Sequence, residues 1–321
     1  DYAGGWEHRW GFATTARAAR RCGMTALRGR LRESVPMSRF TTWRVGGPAQ
    51  WLFEPADAAD LGTFLASQTA PRPFFWLGLG SNLLVRDGGL RGSVIRLHRG
   101  LATITDLGAG RVHVDAGVAC AKLARWCGQR GYAEAAFFAG IPGTIGGALA
   151  MNAGAWGGET WAQVESVTTV DAQGEPHQRS IEDYRVGYRQ VTGPADEWFT
   201  AATLVFPAGG DPAALQAHLR ELLSERARTQ PTGMASGGSV FRNPPGDHAA
   251  RLIESAGLKG ARESGAWVSE KHANFIVHEG DARAGDIETL IRRIQQRVEA
   301  EHGVMLEPEV RIVGEEVAHA H

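Results

Sequence analysis

The chain of 321 residues is 43% hydrophobic and 21% charged, and its 34 basic and 35 acidic residues leave a formal net charge of −1. So balanced a surface creates no field for nucleic acid or an anionic membrane, and no apolar run reaches the ~18 residues of a transmembrane helix. The length suits two or three domains. The 42 glycines, about twice ordinary usage, point to a loop-rich protein with close backbone approaches.

Residues 1–33 read as a separate N-terminal extension, rich in Arg and poor in acidic residues. Within it, 14–21 resembles a targeting segment but lacks an apolar core, and Met24 is a candidate start. Cys22, Cys120 and Cys127 have neither disulfide nor metal-ligand spacing, which favours a reducing, cytoplasmic setting. No paired His spacing occurs, so no metal is expected.

From residue 34 the elements follow in order. A loop over 38–48 leads into a strand over 49–53. Asp57 caps a helix to about 67, with Leu61, Phe64 and Leu65 on one face. A buried strand over 74–77 runs straight into Gly78-Leu79-Gly80-Ser81-Asn82, and another strand covers 93–97. An alternating strand spans 111–116, then a helix over 118–130 ends at Gly131. Residues 140–158 hold seven glycines in nineteen residues and read as a loop. Strands are expected over 164–170, 184–191 and 198–206. Asp211 and Pro212 open a helix to about 227, with Leu215, Leu219, Leu222 and Leu223 as its apolar stripe. A small-residue loop, a short helix over 248–255 closed by Gly257, and a strand over 274–277 come next. Asp286 caps a long helix carrying Ile287, Leu290, Ile291, Ile294 and Val298, stopped by Gly303. A strand over 306–313 follows.

This order predicts an α+β fold. A doubly wound nucleotide-binding sheet is not expected, because Gly78-Leu79-Gly80 is followed by Ser81-Asn82-Leu83 and no helix opens on a G-x-G-x-x-G pattern. Pro207, Gly209 and Gly210 mark a joint near 208–210, dividing 34–208 from 211–304.

Glycine and polar groups coincide in four places: Arg44 to Pro48, Gly78 to Leu83, the 140–158 run, and Ser236 to Pro244. Each reads either as a tight turn or as backbone pressed on a flat or anionic ligand, with N–H groups as the binding atoms. Ser239 is made reachable by its flanking glycines, but no G-x-S-x-G elbow is present. Arg189, Glu309 and His272 are charged or titratable candidates whose ordinary alternatives are surface ion pairs or a satisfied loop histidine.

Together and in this order, these segments resemble the UDP-N-acetylenolpyruvoylglucosamine reductase family. The matching pieces are Thr42 to Ala49, Leu77 to Val85, Ala139 to Ala148 with Met151 to Gly154, Tyr188-Arg189, Gly238 to Pro244, Lys271 to Phe275, and Glu307 to Arg311. The resemblance covers roughly 34–315. Any one motif is unspecific; seven in register are specific.

The resemblance implies a two-lobed FAD-binding part of the vanillyl-alcohol-oxidase type (lobes 34–98 and 99–208), a separate α+β substrate domain over 211–304, and a C-terminal strand over 305–316 returning to the FAD-binding part. Arg44, Gly46, Gly47, Gly78, Gly80, Ser81, Asn82, Gly140, Ile141, Pro142, Gly143, Thr144, Gly146, Gly147, Asn152 and Gly154 would then contact FAD. The implied reaction passes hydride from NADPH, by way of FAD, to C3 of the enolpyruvyl ether of UDP-N-acetylglucosamine, in peptidoglycan precursor synthesis. Ser239 matches the proton donor to C2, and Arg189 and Glu309 match the residues that stabilise the developing enolate. Tyr188, Asn243 and His272 resemble substrate contacts, and Arg228 is expected at a UDP phosphate. A small-molecule substrate and a monomer are expected. Arg242 stands where Lys is usual and His278 where Asn is usual. The short spacing from Arg189 to Ser239 resembles the type II branch, which lacks a tyrosine-bearing loop over the substrate.

Overall fold

Strands buried on both faces read as nearly continuous apolar runs, and the two central strands of the first lobe, Pro48–Glu54 and Leu90–Arg96, come nearest to this. The computed structural model describes residues 27–317. β1 (Arg30–Pro36) pairs antiparallel with β2 (Pro48–Glu54). β3 (Phe74–Leu77) and β5 (Leu90–Arg96) run parallel to each other and to β2, in the order β1-β2-β5-β3. β4 (Leu83–Val85) lies outside this sheet. One face carries Leu31, Phe53 and Ile95 beneath Phe64 of α1 (Ala58–Ala66), whose N-cap is Asp57. Val35, Leu52, Leu77 and Val94 form a second cluster. The extension expected to reach residue 33 is shorter: Leu31, fully buried, already belongs to this sheet. The rest of that extension, with Cys22 and Met24, lies outside the described residues.

The second lobe contains β6 (Ile104–Gly108), β7 (Arg111–Asp115), α2 (Cys120–Gly128), α3 (Ile145–Met151), the short pair β8 (Gly154–Ala155) and β9 (Gly158–Glu159), β10 (Val164–Asp171), β11 (Pro176–Ser180), the hairpin β12 (Arg185–Gly187) and β13 (Gln190–Thr192), and β14 (Glu197–Val205). Its sheet is antiparallel, in the order β11-β10-β14-β7-β6. α2 and α3 bring Leu123 and Leu149 into one core with Val112, Val167 and Leu204. Two expectations are corrected here. The 140–158 run contains a helix, α3, because Ile145 to Met151 combines small residues with two buried aliphatics. The strand expected over 184–191 is a hairpin turned at Tyr188 and Arg189.

α4 (Pro212–Thr229) starts as expected, with the Asp211 carboxylate accepting from Ala213 N at 3.0 Å. Of its expected apolar stripe only Leu219 is buried, and it sits in the second-lobe core. By packing, α4 therefore goes with the second lobe, and the joint expected near 208–210 shifts to its far end. Beyond it, β15 (Ala235–Ser236), α5 (Ala249–Ser255), β16 (Arg262–Glu263), β17 (Ala266–Val268), β18 (Ile276–His278) and α6 (Ala284–His302) build a sheet ordered β15-β18-β17-β16 with its own core. Arg283 is the N-cap of α6; Asp286, expected there, is the third helical residue and accepts from Arg283 N at 2.8 Å. Gly303 ends α6 at φ 67. Finally β19 (Arg311–Val313) returns to pair parallel with β4, Arg311 opposite Leu83.

Candidate active site

Gly78 follows β3 directly, and the turn before α3 faces it. A Cβ on Gly78 would lie 2.5 Å from Thr144 Oγ1, and one on Gly143 would lie 3.6 Å from Ser81 Oγ. The two lobes thus meet glycine to side chain, leaving a cleft of about 440 Å³ walled by Trp76, Gly80, Asn82, Gly143, Gly147 and Trp198. Gly80 adopts φ 67 with the Phe40 carbonyl 2.1 Å from any Cβ, a position only glycine fills without strain. A cleft walled by glycine backbone and flanked by indole rings fits a flat dinucleotide such as FAD.

Of the expected cofactor residues, Gly78, Gly80, Ser81, Asn82, Gly143, Thr144, Gly146 and Gly147 line this cleft. The remainder of the set lies elsewhere. Ile145 N and Gly146 N donate to Val118 O and Ala116 O at 2.9 and 2.8 Å, so these amides hold the lobe together and are closed to a ligand. Ile141 is buried in the second-lobe core, Pro142 is exposed, and Gly140 packs under Ala155 and Trp156.

The loop of Arg44, Gly46 and Gly47 is also corrected. A Cβ on Gly46 would lie 2.8 Å from Val85 Cβ, and one on Gly47 2.1 Å from Asp87 O, so both glycines allow close approach to the chain after β4. Arg44 is exposed. Just before them Trp43 is fully buried in the core of the C-terminal domain, its Nε1 donating to Ile276 O at 2.9 Å. This loop joins lobe to domain.

Arg189 occupies the β12–β13 turn at φ 53. Its Nη1 donates to Asn152 O at 3.2 Å, its Nη2 to Gly154 O at 3.1 Å, and its Nε lies 3.2 Å from Glu309 Oε1. Three of the five guanidinium N–H groups are engaged, and two remain for a ligand. Asn152 and Gly154, expected at the cofactor, thus brace Arg189. The Asn152 side chain is itself engaged: Nδ2 donates to Glu159 Oε2 and Gly187 O, and Oδ1 accepts from Trp161 N.

Burial raises the Glu309 carboxyl above its ordinary value and outweighs the opposing pull of Arg189 and Arg242. The Glu309 backbone is fixed from two sides. Asn82 Nδ2 donates to Glu309 O at 3.1 Å, and Glu309 N donates to Val240 O at 2.7 Å. The second bond joins Glu309 to the segment that carries Ser239, half-buried and one residue before Val240. Buried Asn274 holds this strand, accepting from Phe241 N at Oδ1 and donating to Phe241 O. Sequence reasoning missed Asn274 and Trp43. Both fall within the matching pieces Thr42 to Ala49 and Lys271 to Phe275, but their distant partners Ile276 and Phe241 leave no local signal.

The expected substrate residues scatter more widely. Tyr188 is 51% exposed, with the Arg189 guanidinium 5.1 Å from its ring. Asn243 Oδ1 accepts from Ala249 N at 3.1 Å, capping α5. His272 packs edge-on to Phe275, and burial lowers its pKa, keeping the ring neutral. Arg228 points to solvent and pairs with Glu225 one turn earlier. None of the last three hydrogen-bonds to Arg189 or Glu309 among the described residues.

The comparisons with known proteins agree with this fold. An FAD binding domain model matches residues 49–179, and the model of the UDP-N-acetylenolpyruvoylglucosamine reductase C-terminal domain matches 230–313, starting just beyond α4. The UDP-N-acetylenolpyruvoylglucosamine reductase of Alkalilimnicola ehrlichii is 59% identical over 89% of this chain and 96% of its own length. That of Methylococcus capsulatus is 55% identical over 90% of this chain and 94% of its own. The crystal structure of the Thermus caldophilus reductase superposes with a TM-score of 0.77 at 34% identity, covering 89% of this chain and 99% of that one. On its two matched domains and on these relatives, the chain belongs to the UDP-N-acetylenolpyruvoylglucosamine reductase family.

Proposed function

We propose that this chain reduces the enolpyruvyl ether of UDP-N-acetylglucosamine to UDP-N-acetylmuramate, with NADPH as reductant and FAD as carrier, in cytoplasmic peptidoglycan precursor synthesis. The observation that carries the reading is the Arg189–Glu309 contact of 3.2 Å, tied to the glycine-walled cleft by the bond from Asn82 to the Glu309 carbonyl. Free, buried Cys120 and Cys127 fit a reducing compartment. One chain supplies every group named, so a monomer suffices.

Gly78, Gly80, Ser81, Asn82, Gly143, Thr144 and Gly147 would hold FAD, which when bound would supply the two-electron relay between NADPH and substrate. The protein does the rest. Arg189 offers its two remaining N–H groups to the substrate carboxylate, a geometry suited to its fork. Glu309, whose carboxyl burial makes easier to protonate, donates a hydrogen bond in its protonated form where negative charge grows at C2. The Ser239 hydroxyl delivers the proton to C2; it is a weak acid, but the carbon it serves is a far stronger base than an alkoxide. Asn82, bonded to the Glu309 carbonyl, ties the cofactor loop to this chemistry.

The test is the visible spectrum. The purified protein should show flavin absorption that NADPH bleaches and the enolpyruvyl substrate restores. Ser239→Ala should bleach normally and recover about 10²–10⁴-fold more slowly. Recovery at the wild-type rate would remove Ser239 from the mechanism, and absence of flavin would remove the reading.

A further inference from the structure

The last turn of α4 carries two arginines with opposite surroundings. Arg228 faces solvent and is neutralised by Glu225. Arg226 turns inward: its Nε donates to Gln230 Oε1 at 3.0 Å and its Nη1 to Ala139 O at 3.3 Å. No carboxylate pairs with it among the described residues, and burial alone pulls its pKa below the usual arginine range. A half-buried guanidinium satisfied only by neutral acceptors keeps most of its desolvation cost, so such a group is a candidate for an anion. The negative end of the helix dipole favours a cation in this turn, but it favours Arg228 equally and does not require burial.

The position is a seam. On one side Arg226 reaches Ala139, buried in the second-lobe core four residues before Gly143 at the cleft. On the other, Lys271 Nζ of the C-terminal domain donates to Ala227 O at 2.6 Å. The last turn of α4 therefore lies where the second lobe and the C-terminal domain meet.

We propose that Arg226, in place of the solvent-facing Arg228, is the anion-binding arginine at this seam and takes a phosphate of a bound nucleotide. The inference rests on the flavin and sugar-nucleotide reading. The shared ligand chemistry is a diphosphate with two sources, the pyrophosphate of FAD and the diphosphate of the UDP-sugar. A planar fork matches two phosphate oxygens at once, which a lysine cannot do.

The experiment titrates FAD into apoprotein, followed by flavin fluorescence quenching, and UDP into holoenzyme, followed by calorimetry, for wild type, Arg226→Gln and Arg226→Lys. Arg226→Gln should weaken one of the two ligands at least tenfold while leaving the other within about twofold, which names the source. Arg226→Lys, which keeps the charge and reports if the glutamine variant fails to fold, should fall between. FAD and UDP both binding the variants within twofold of wild type would overturn the assignment of Arg226. Wild type that binds neither ligand would overturn the functional reading instead.

Discussion

Glu309 is held between burial, which favours its neutral form, and two arginines, which favour the charged one; burial prevails. The sign of the consequence follows. With its folded pKa above the ordinary 4.5, the native state binds the proton more tightly than the unfolded chain. The stabilising contribution is therefore present at low pH and is lost as pH rises from that ordinary value through the raised one. Catalysis should follow the same limb, since only the neutral carboxyl donates a hydrogen bond to the substrate. In single-turnover reoxidation, the rate assigned to Glu309 should fall as pH rises through its raised pKa. Glu309→Gln, a neutral donor at every pH, should react more slowly and lack that limb; the limb persisting in the variant would assign it to another group. That Glu309 and Arg189 belong together was legible from motif resemblance. Their contact, and the bracing of Arg189 by the Asn152 and Gly154 carbonyls, was not, because carbonyl acceptors leave no mark in side-chain identity.

The cleft is made where β3 and α3 approach. Gly78 lies so near Thr144 that any side chain strikes Oγ1 at 2.5 Å. Thr144 is the N-cap of α3 but makes no side-chain capping bond, so its hydroxyl is not needed for the helix. Gly78→Ala should cost about 1–3 kcal/mol in urea unfolding through overpacking. Adding Thr144→Ala should restore at least half of that loss, a coupling a double-mutant cycle measures directly. Additive costs would mean the strain lies in the Gly78 backbone. At this scale the glycine pattern announced close approach but not its object. Gly78 and Gly80 open the cleft, whereas Gly46 and Gly47 press one stretch of protein chain against another.

Across the whole molecule, the lobes and the C-terminal domain are tied by one chain segment reaching each way. β19 leaves the domain to pair with β4, and the loop after β1 sends Trp43 into the domain core. Trp43→Ala removes a fully buried indole together with its bond to Ile276 O. It should lower unfolding stability by about 3–5 kcal/mol in denaturant titration. Turnover should fall more than FAD content, because the cofactor cleft lies within the lobes while Ser239 rides on the domain. Unchanged stability would show that the domain core repacks without the indole.

The apolar periodicities and the capped helix starts determined most elements, since propensity and capping are local properties of the chain. The family motifs, read together, determined the chemistry to look for. Tertiary structure decided which glycines line the cleft, which arginine of α4 turns inward, and to which lobe α4 belongs. Each of these depends on partners far away in sequence, such as Ala139 for Arg226 and Ile276 for Trp43. A residue type records its own capacity to bond or pack, and only the assembled fold supplies the group that meets it.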